Sequence, residues 1–132
     1  MMDISLSNMY FFKPLDEVHL IQLKKAGVSA IELAPFHQLS SYNHSNKVKQ
    51  FKSHLSKTGM SISGIQGFTF LPNKPYLKDA FMRNSSIWRD HFKKVLEMSS
   101  FLECKSLVFG APNFRDNLLE KEMFDNTFIA SV

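Results

Sequence analysis

The sequence predicts a parallel α/β fold that amounts to half of a (β/α)8, or TIM, barrel, and three observations predict it. Short β-prone runs alternate with longer helical runs four times along the chain, in the order βαβαβαβα. Strands separated by helices need crossover connections, and crossovers make neighbouring strands parallel. The strand landmarks Ile4, Ile31, Ile62 and Leu107 lie 27, 31 and 45 residues apart, and the chain has 132 residues. A closed barrel spends roughly 31 residues per unit, about 250 over eight units, so four units match half of one. Residues 1–132 are therefore read as a single partial barrel, its first four βα units.

The elements follow in order. Ile4 to Asn8 (ISLSN) alternates in part and reads as the first strand. Pro14 to Ala26 reads as a helix through Leu15, Val18, Ile21 and Leu23. Pro14 suits its first turn, where the missing N–H costs nothing, and Gly27 suits its C-terminal cap. Ser29 to Ala34 (SAIELA) is a buried strand ended by Pro35. Gln38 to Asn46 is a polar stretch, read as a loop that can start a helix. Val48, Phe51, His54 and Leu55 then share one helical face, closed by Gly59.

Met60 to Gln66 (MSISGIQ) is the third strand, and a Pro-containing loop runs from Gly67 to about Asp79. The third helix covers Ser86 to Leu102, with Ile87, Trp88, His91, Val95, Met98 and Leu102 on its apolar face. Ser106 to Gly110 (SLVFG) is the fourth strand, and a fourth helix starts near Leu118. A flavodoxin-like open sheet is the rival of similar size. It would place a phosphate-cradling turn or an acidic cluster after strand one, and Ser-Asn-Met-Tyr-Phe-Phe fits neither.

Composition narrows the class. Apolar residues make up 44%, charged residues 21% and aromatics 13%, with 13 Phe. That is a globular profile rather than a disordered or membrane-spanning one. The formal charge of +4 is spread over helix faces such as Lys47, Lys49, Lys52 and Lys57, and Lys93 with Lys94. No basic stripe with interleaved exposed aromatics appears, so neither nucleic acid nor membrane is expected as a partner. The single Cys104 excludes an internal disulfide, and no histidine or motif marks it as a catalytic thiol. No secretory leader precedes the first strand, so a cytoplasmic location is expected.

GVSAIELAP (27–35), TGMSISGIQGFTF (58–70) and CKSLVFGAPNFRD (104–116) resemble segments of the sugar phosphate isomerase/epimerase family. Three such segments, in order and at the right distances, span nearly the whole chain. Cys104-Lys105 departs from the small-residue turn that many relatives carry before strand four. The resemblance implies a xylose isomerase-like barrel. It also implies metal-assisted proton transfer between adjacent carbons of a sugar or sugar phosphate. In full-length members a divalent cation (Mn, Mg, Zn or Co) is held by carboxylates and a histidine from later strands. This chain carries no counterpart of those ligands, so no metal is expected for it alone, and it is expected to be inactive by itself.

Chemistry in a barrel collects at the C-terminal strand ends. The candidate substrate-binding residues there are Asn8, Glu32, His37, Gln66, Asn113 and Arg115; no catalytic residue is assigned. Glu32 stands inside strand two, on the face opposite Ile31 and Leu33, as a site acid or half of a structural ion pair. Asn8 and Gln66 end their strands as substrate contacts or loop anchors. His37 follows Pro35 as a contact or a solvated loop residue. Arg115 offers a planar cation for an anionic group, or pairs with Asp116, Glu32 or another carboxylate. His19, His44, His54 and His91 fall on helices and are read as non-ligands. Phe68, Phe70, Phe109, Phe11 and Phe12 wall a pocket or fill the core, core filling being the commoner role.

Two other functions compete. A truncated, non-catalytic remnant or interaction module would leave the edges of strands one and four unpaired, and would self-associate, bind a partner or aggregate. An abasic-site endonuclease uses the same barrel but needs early histidine and acid ligands, and no such cluster is present.

Overall fold

The computed structural model describes residues 3–39, 46–69, 77–83 and 85–109, apart from the side chains of residues 78 and 82. Four strands, β1 (Ile4–Ser7), β2 (Val28–Leu33), β3 (Ser61–Gln66) and β4 (Leu107–Val108), form one sheet in the order β1-β2-β3-β4. Each neighbouring pair is parallel. A flavodoxin-like sheet changes direction after its first strand. Here each strand is added beside the last, so the described sheet is singly wound.

A 3-10 turn (Asn8–Tyr10) follows β1, and α1 spans Glu17–Lys25. Pro14 is not in its first turn. Asp16 caps the helix instead, because its carboxylate accepts the His19 N–H over 3.0 Å. That bond holds the Asp16 carboxyl below its ordinary value. Gly27, with φ +91°, ends the helix as expected.

Pro35 does more than stop β2. It occupies the first turn of a short helix, α2 (Pro35–Gln38), where its missing N–H has no partner to lose. The expected loop therefore starts later. Helix α3 (Asn46–Thr58) buries Val48, Phe51 and Leu55, while His54 is half-buried with its Nε2 3.8 Å from a Glu17 carboxylate oxygen. The segment read as a loop before residue 79 already holds a short helix, α4 (Leu77–Met82).

Helix α5 (Ser86–Phe101) is capped by Ser85 and buries Trp88, His91, Phe92, Val95, Met98 and Ser99. Ile87, expected on that face, is exposed at the first turn, and Phe92 lies inside instead. One residue is about 100° of helix, so Ile87 turns away as Trp88 turns in. Trp88 stacks on Phe92 and meets Phe81 edge-on at 4.9 Å between ring centres. Phe68 joins this cluster as a buried core ring, and the half-buried Phe109 packs against it. His91 Nε2 lies 2.8 Å from the Phe68 carbonyl, so the buried imidazole ties α5 to the end of β3.

The two faces of the sheet differ. Ile31 and Leu33 of β2 and Ile62 and Ile65 of β3 join Leu20 of α1, Phe51 and Leu55 of α3, and Val95 and Met98 of α5 in one apolar cluster. Each fully buried side chain of this size contributes roughly 1.5–3 kcal/mol. The opposite face carries Ser5, Ser7, Glu32, Ser63 and Gln66. Among the described residues no helix is long and apolar enough to cross a membrane. The expected fourth helix from Leu118 lies outside the described residues.

Candidate functional site

Three adjacent strands bring polar side chains to the C-terminal end of the polar face. Ser7 is the last residue of β1 and pairs in register with Glu32 of β2. Glu32 in turn pairs with Gly64 of β3, which places no side chain between Glu32 and Gln66, two residues on. The Gln66 Nε2 donates to Glu32 Oε2 over 2.8 Å and to Ser7 Oγ over 3.0 Å. Ser7 Oγ also accepts the Met9 N–H, which fixes the hydroxyl at the mouth of the 3-10 turn.

Glu32 is half-buried between the fully buried Ile31 and Leu33. An acid in a parallel strand is costly unless it is solvated or hydrogen-bonded. Here the strand's alternation turns it to the polar face, where it is both. A second polar pair lies towards the other end of the strands. Ser5 and Ser63 bring their Oγ atoms to 2.6 Å of each other across β2.

Asn8 and His37 are placed differently. Asn8 is 1% exposed. Its Oδ1 accepts the Ala34 N–H over 2.6 Å, and its Nδ2 donates to the Ala34 carbonyl over 3.1 Å. Of its two readings, the geometry is that of a loop anchor, because both ends of the amide serve the backbone after β2. His37 is half-buried on α2 and stacks on Phe36 with 22° between planes. It makes no described hydrogen bond with Ser7, Glu32 or Gln66. Asn113 and Arg115 lie outside the described residues, as does Phe70. Phe12 and Tyr10 are exposed and Phe11 is half-buried, all beyond the end of β1.

Two features of this end carry weak sequence signals. Ser7 is marked only by alternation, which Ser5-Leu6-Ser7 and Ser61-Ile62-Ser63 share. Serine at every second position flanking a buried aliphatic marks a hydroxylated face. Gln38, read as the start of a loop, is buried, and its amide takes the Leu15 N–H over 2.8 Å and donates to the Leu15 carbonyl over 2.7 Å. No periodicity signals such a contact.

The donor set suits a polyhydroxylated ligand: one carboxylate, one amide and serine hydroxyls on an open face. It does not make a metal centre. Among the described residues no three His, Cys, Asp or Glu side chains gather as ligands, and the Glu32 carboxylate is tied to Gln66. Cys104 is half-buried, its Sγ directed to the Ser106 carbonyl at 3.2 Å. Comparison with known proteins found no family model, no curated protein and no solved structure that matches the chain.

Proposed function

We propose that this chain supplies the first four βα units of a sugar phosphate isomerase/epimerase-like barrel, and that its part in that enzyme is to bind the substrate's hydroxyl groups. The observation that carries the reading is the Ser7–Gln66–Glu32 constellation, gathered on one rim by three consecutive parallel strands. In a (β/α)8 barrel that rim is where substrates sit. The singly wound order and the polar inner face support the xylose isomerase-like form of the fold.

Glu32 accepts hydrogen bonds from sugar hydroxyls, and Gln66 holds its carboxylate in one orientation. The Ser7 hydroxyl, which accepts from Met9 and Gln66, keeps a proton to donate. Proton transfer in the resembled family relies on a divalent cation, and the described residues do not form a site for one. No catalytic step is therefore assigned to them.

The test is binding. Isothermal titration or chemical-shift mapping of the 132-residue chain with aldose, ketose and ketose-phosphate ligands should show saturable uptake, with shifts centred on Ser7, Glu32 and Gln66. Binding that leaves these three residues unmoved, or no binding at millimolar sugar phosphate, removes the reading.

A further inference from the structure

Strand β3 holds one residue more than its pairing with β2 uses. Ile62 pairs with Ile31, and Gly64 pairs with the next residue, Glu32, so Ser63 stands opposite no residue of β2. Such a β-bulge is rare between parallel strands and frequent beside binding sites. The core does not need it. Without Ser63 the run Ile62-Gly64-Ile65-Gln66 would alternate strictly, in the same pairings with β2. Ile62 and Ile65 would still face the helices, and Gly64 and Gln66 would still share the face of Glu32.

A second irregularity shows what a structural role looks like. Ser29 of β2 has no partner on β1, where Ile4 pairs with Val28 and Ser5 with Ala30. Its hydroxyl donates to the Ile4 carbonyl over 3.1 Å and so serves the backbone where the register slips. The Ser63 hydroxyl serves no backbone group. Among the described residues it meets only the Ser5 hydroxyl, on the exposed side of the sheet.

We infer that the Ser5–Ser63 pair is a second contact point for the ligand, one tier below Ser7, Gln66 and Glu32, and that the bulge exists to supply it. The inference rests on the functional reading given above and adds the length of the ligand. Within the pair one hydroxyl donates to the other, which leaves one proton and open lone pairs for a ligand hydroxyl. Ser5 precedes Ser7 by two strand residues, or about 6.6 Å. With carbon–carbon bonds of about 1.5 Å, an extended chain of about five or six carbons reaches from one tier to the other. A triose does not. The site therefore selects pentoses and hexoses by contacting both ends of the chain.

Titration calorimetry of the 132-residue chain with fructose-6-phosphate and with dihydroxyacetone phosphate, beside thermal melts, tests this. The hexose phosphate should bind about tenfold tighter than the triose phosphate, the equivalent of one added hydrogen bond. Ser63→Ala should remove most of that difference by weakening the hexose phosphate alone. A chain from which Ser63 is deleted should do the same and melt no lower than wild type. Equal affinity of the wild type for the two ligands overturns the inference and leaves the functional reading standing, and so does an unchanged preference in Ser63→Ala. A deletion chain that melts lower makes Ser63 a structural residue and overturns the inference as well. Uptake of neither ligand removes the functional reading and the inference with it.

Discussion

The Asn8 side chain and the Ala34 backbone form a closed ring of two hydrogen bonds, of 2.6 and 3.1 Å, between the end of β1 and the end of β2. The amide imitates a strand at the point where the strands stop. Asn8→Ala would strand both Ala34 groups in a buried setting, at about 1–3 kcal/mol each. Asn8→Asp keeps the acceptor but loses the donor and buries an acid, whose proton restores the second bond. Urea titrations should therefore find Asn8→Asp more stable relative to wild type at pH 4 than at pH 7. Equal deficits at both pH values would show that the donor does not matter.

Gln38 does the same for Leu15, across a gap of sequence and between the α1 approach and α2. Gln38→Leu preserves volume and removes both bonds, and should cost about 2 kcal/mol or more. The sharper readout is local. Amide exchange at Leu15 should accelerate more than at Ile31 or Ile65, and uniform acceleration would mean only global destabilisation.

Gln66→Leu and Glu32→Gln should each lower affinity for a sugar ligand by about tenfold or more, the equivalent of one lost hydrogen bond of about 1.4 kcal/mol. Both side chains lie on the open face, so thermal stability should fall little. Arg115→Ala should weaken phosphorylated ligands and spare the unphosphorylated sugar. Equal losses for the two would remove an anion-binding role for that residue.

Trp88 is the only tryptophan and is fully buried against Phe81 and Phe92. Native emission should be blue-shifted and poorly quenched by acrylamide, then shift red on unfolding. Trp88→Ala should destabilise by about 3–5 kcal/mol, and Trp88→Phe by less.

Asp16 supplies a pH dependence whose sign is fixed. Its carboxyl is held below the ordinary 3.8, first by the His19 backbone N–H. A depressed acid stabilises the fold above its unfolded value and loses that contribution as pH falls through the folded one. Asp16→Ala should therefore lower the urea midpoint at pH 7, and the difference from wild type should shrink below about pH 3.8. A constant difference would assign the effect to something other than the ionised cap.

Strand positions were legible in the sequence because buried aliphatics with flanking Gly and Pro mark them plainly. β2 and β3 begin or end within one residue of expectation. Helix starts were less legible: Pro14 invited a start that Asp16 and His19 win three residues later by hydrogen bonding. The polar-face placement of Glu32 and Gln66 was legible, since a polar residue among strand aliphatics turns away from the core. The placement of Asn8 was not, because the sequence does not say whether an amide at a strand end turns out to a ligand or back to a neighbouring peptide. Ser7 could have been found from its alternation with Ser5.

The contact between Ser5 and Ser63 has a consequence for shape. Their strands are separated by β2, so their backbones would stand about 9.6 Å apart in a flat sheet. Two short hydroxymethyl groups cannot span that gap upright and finish 2.6 Å apart. The outer strands must tip toward one another, so the sheet is a trough, hollow on its hydroxylated side. Replacing either serine with alanine would cut that chord and let the trough relax.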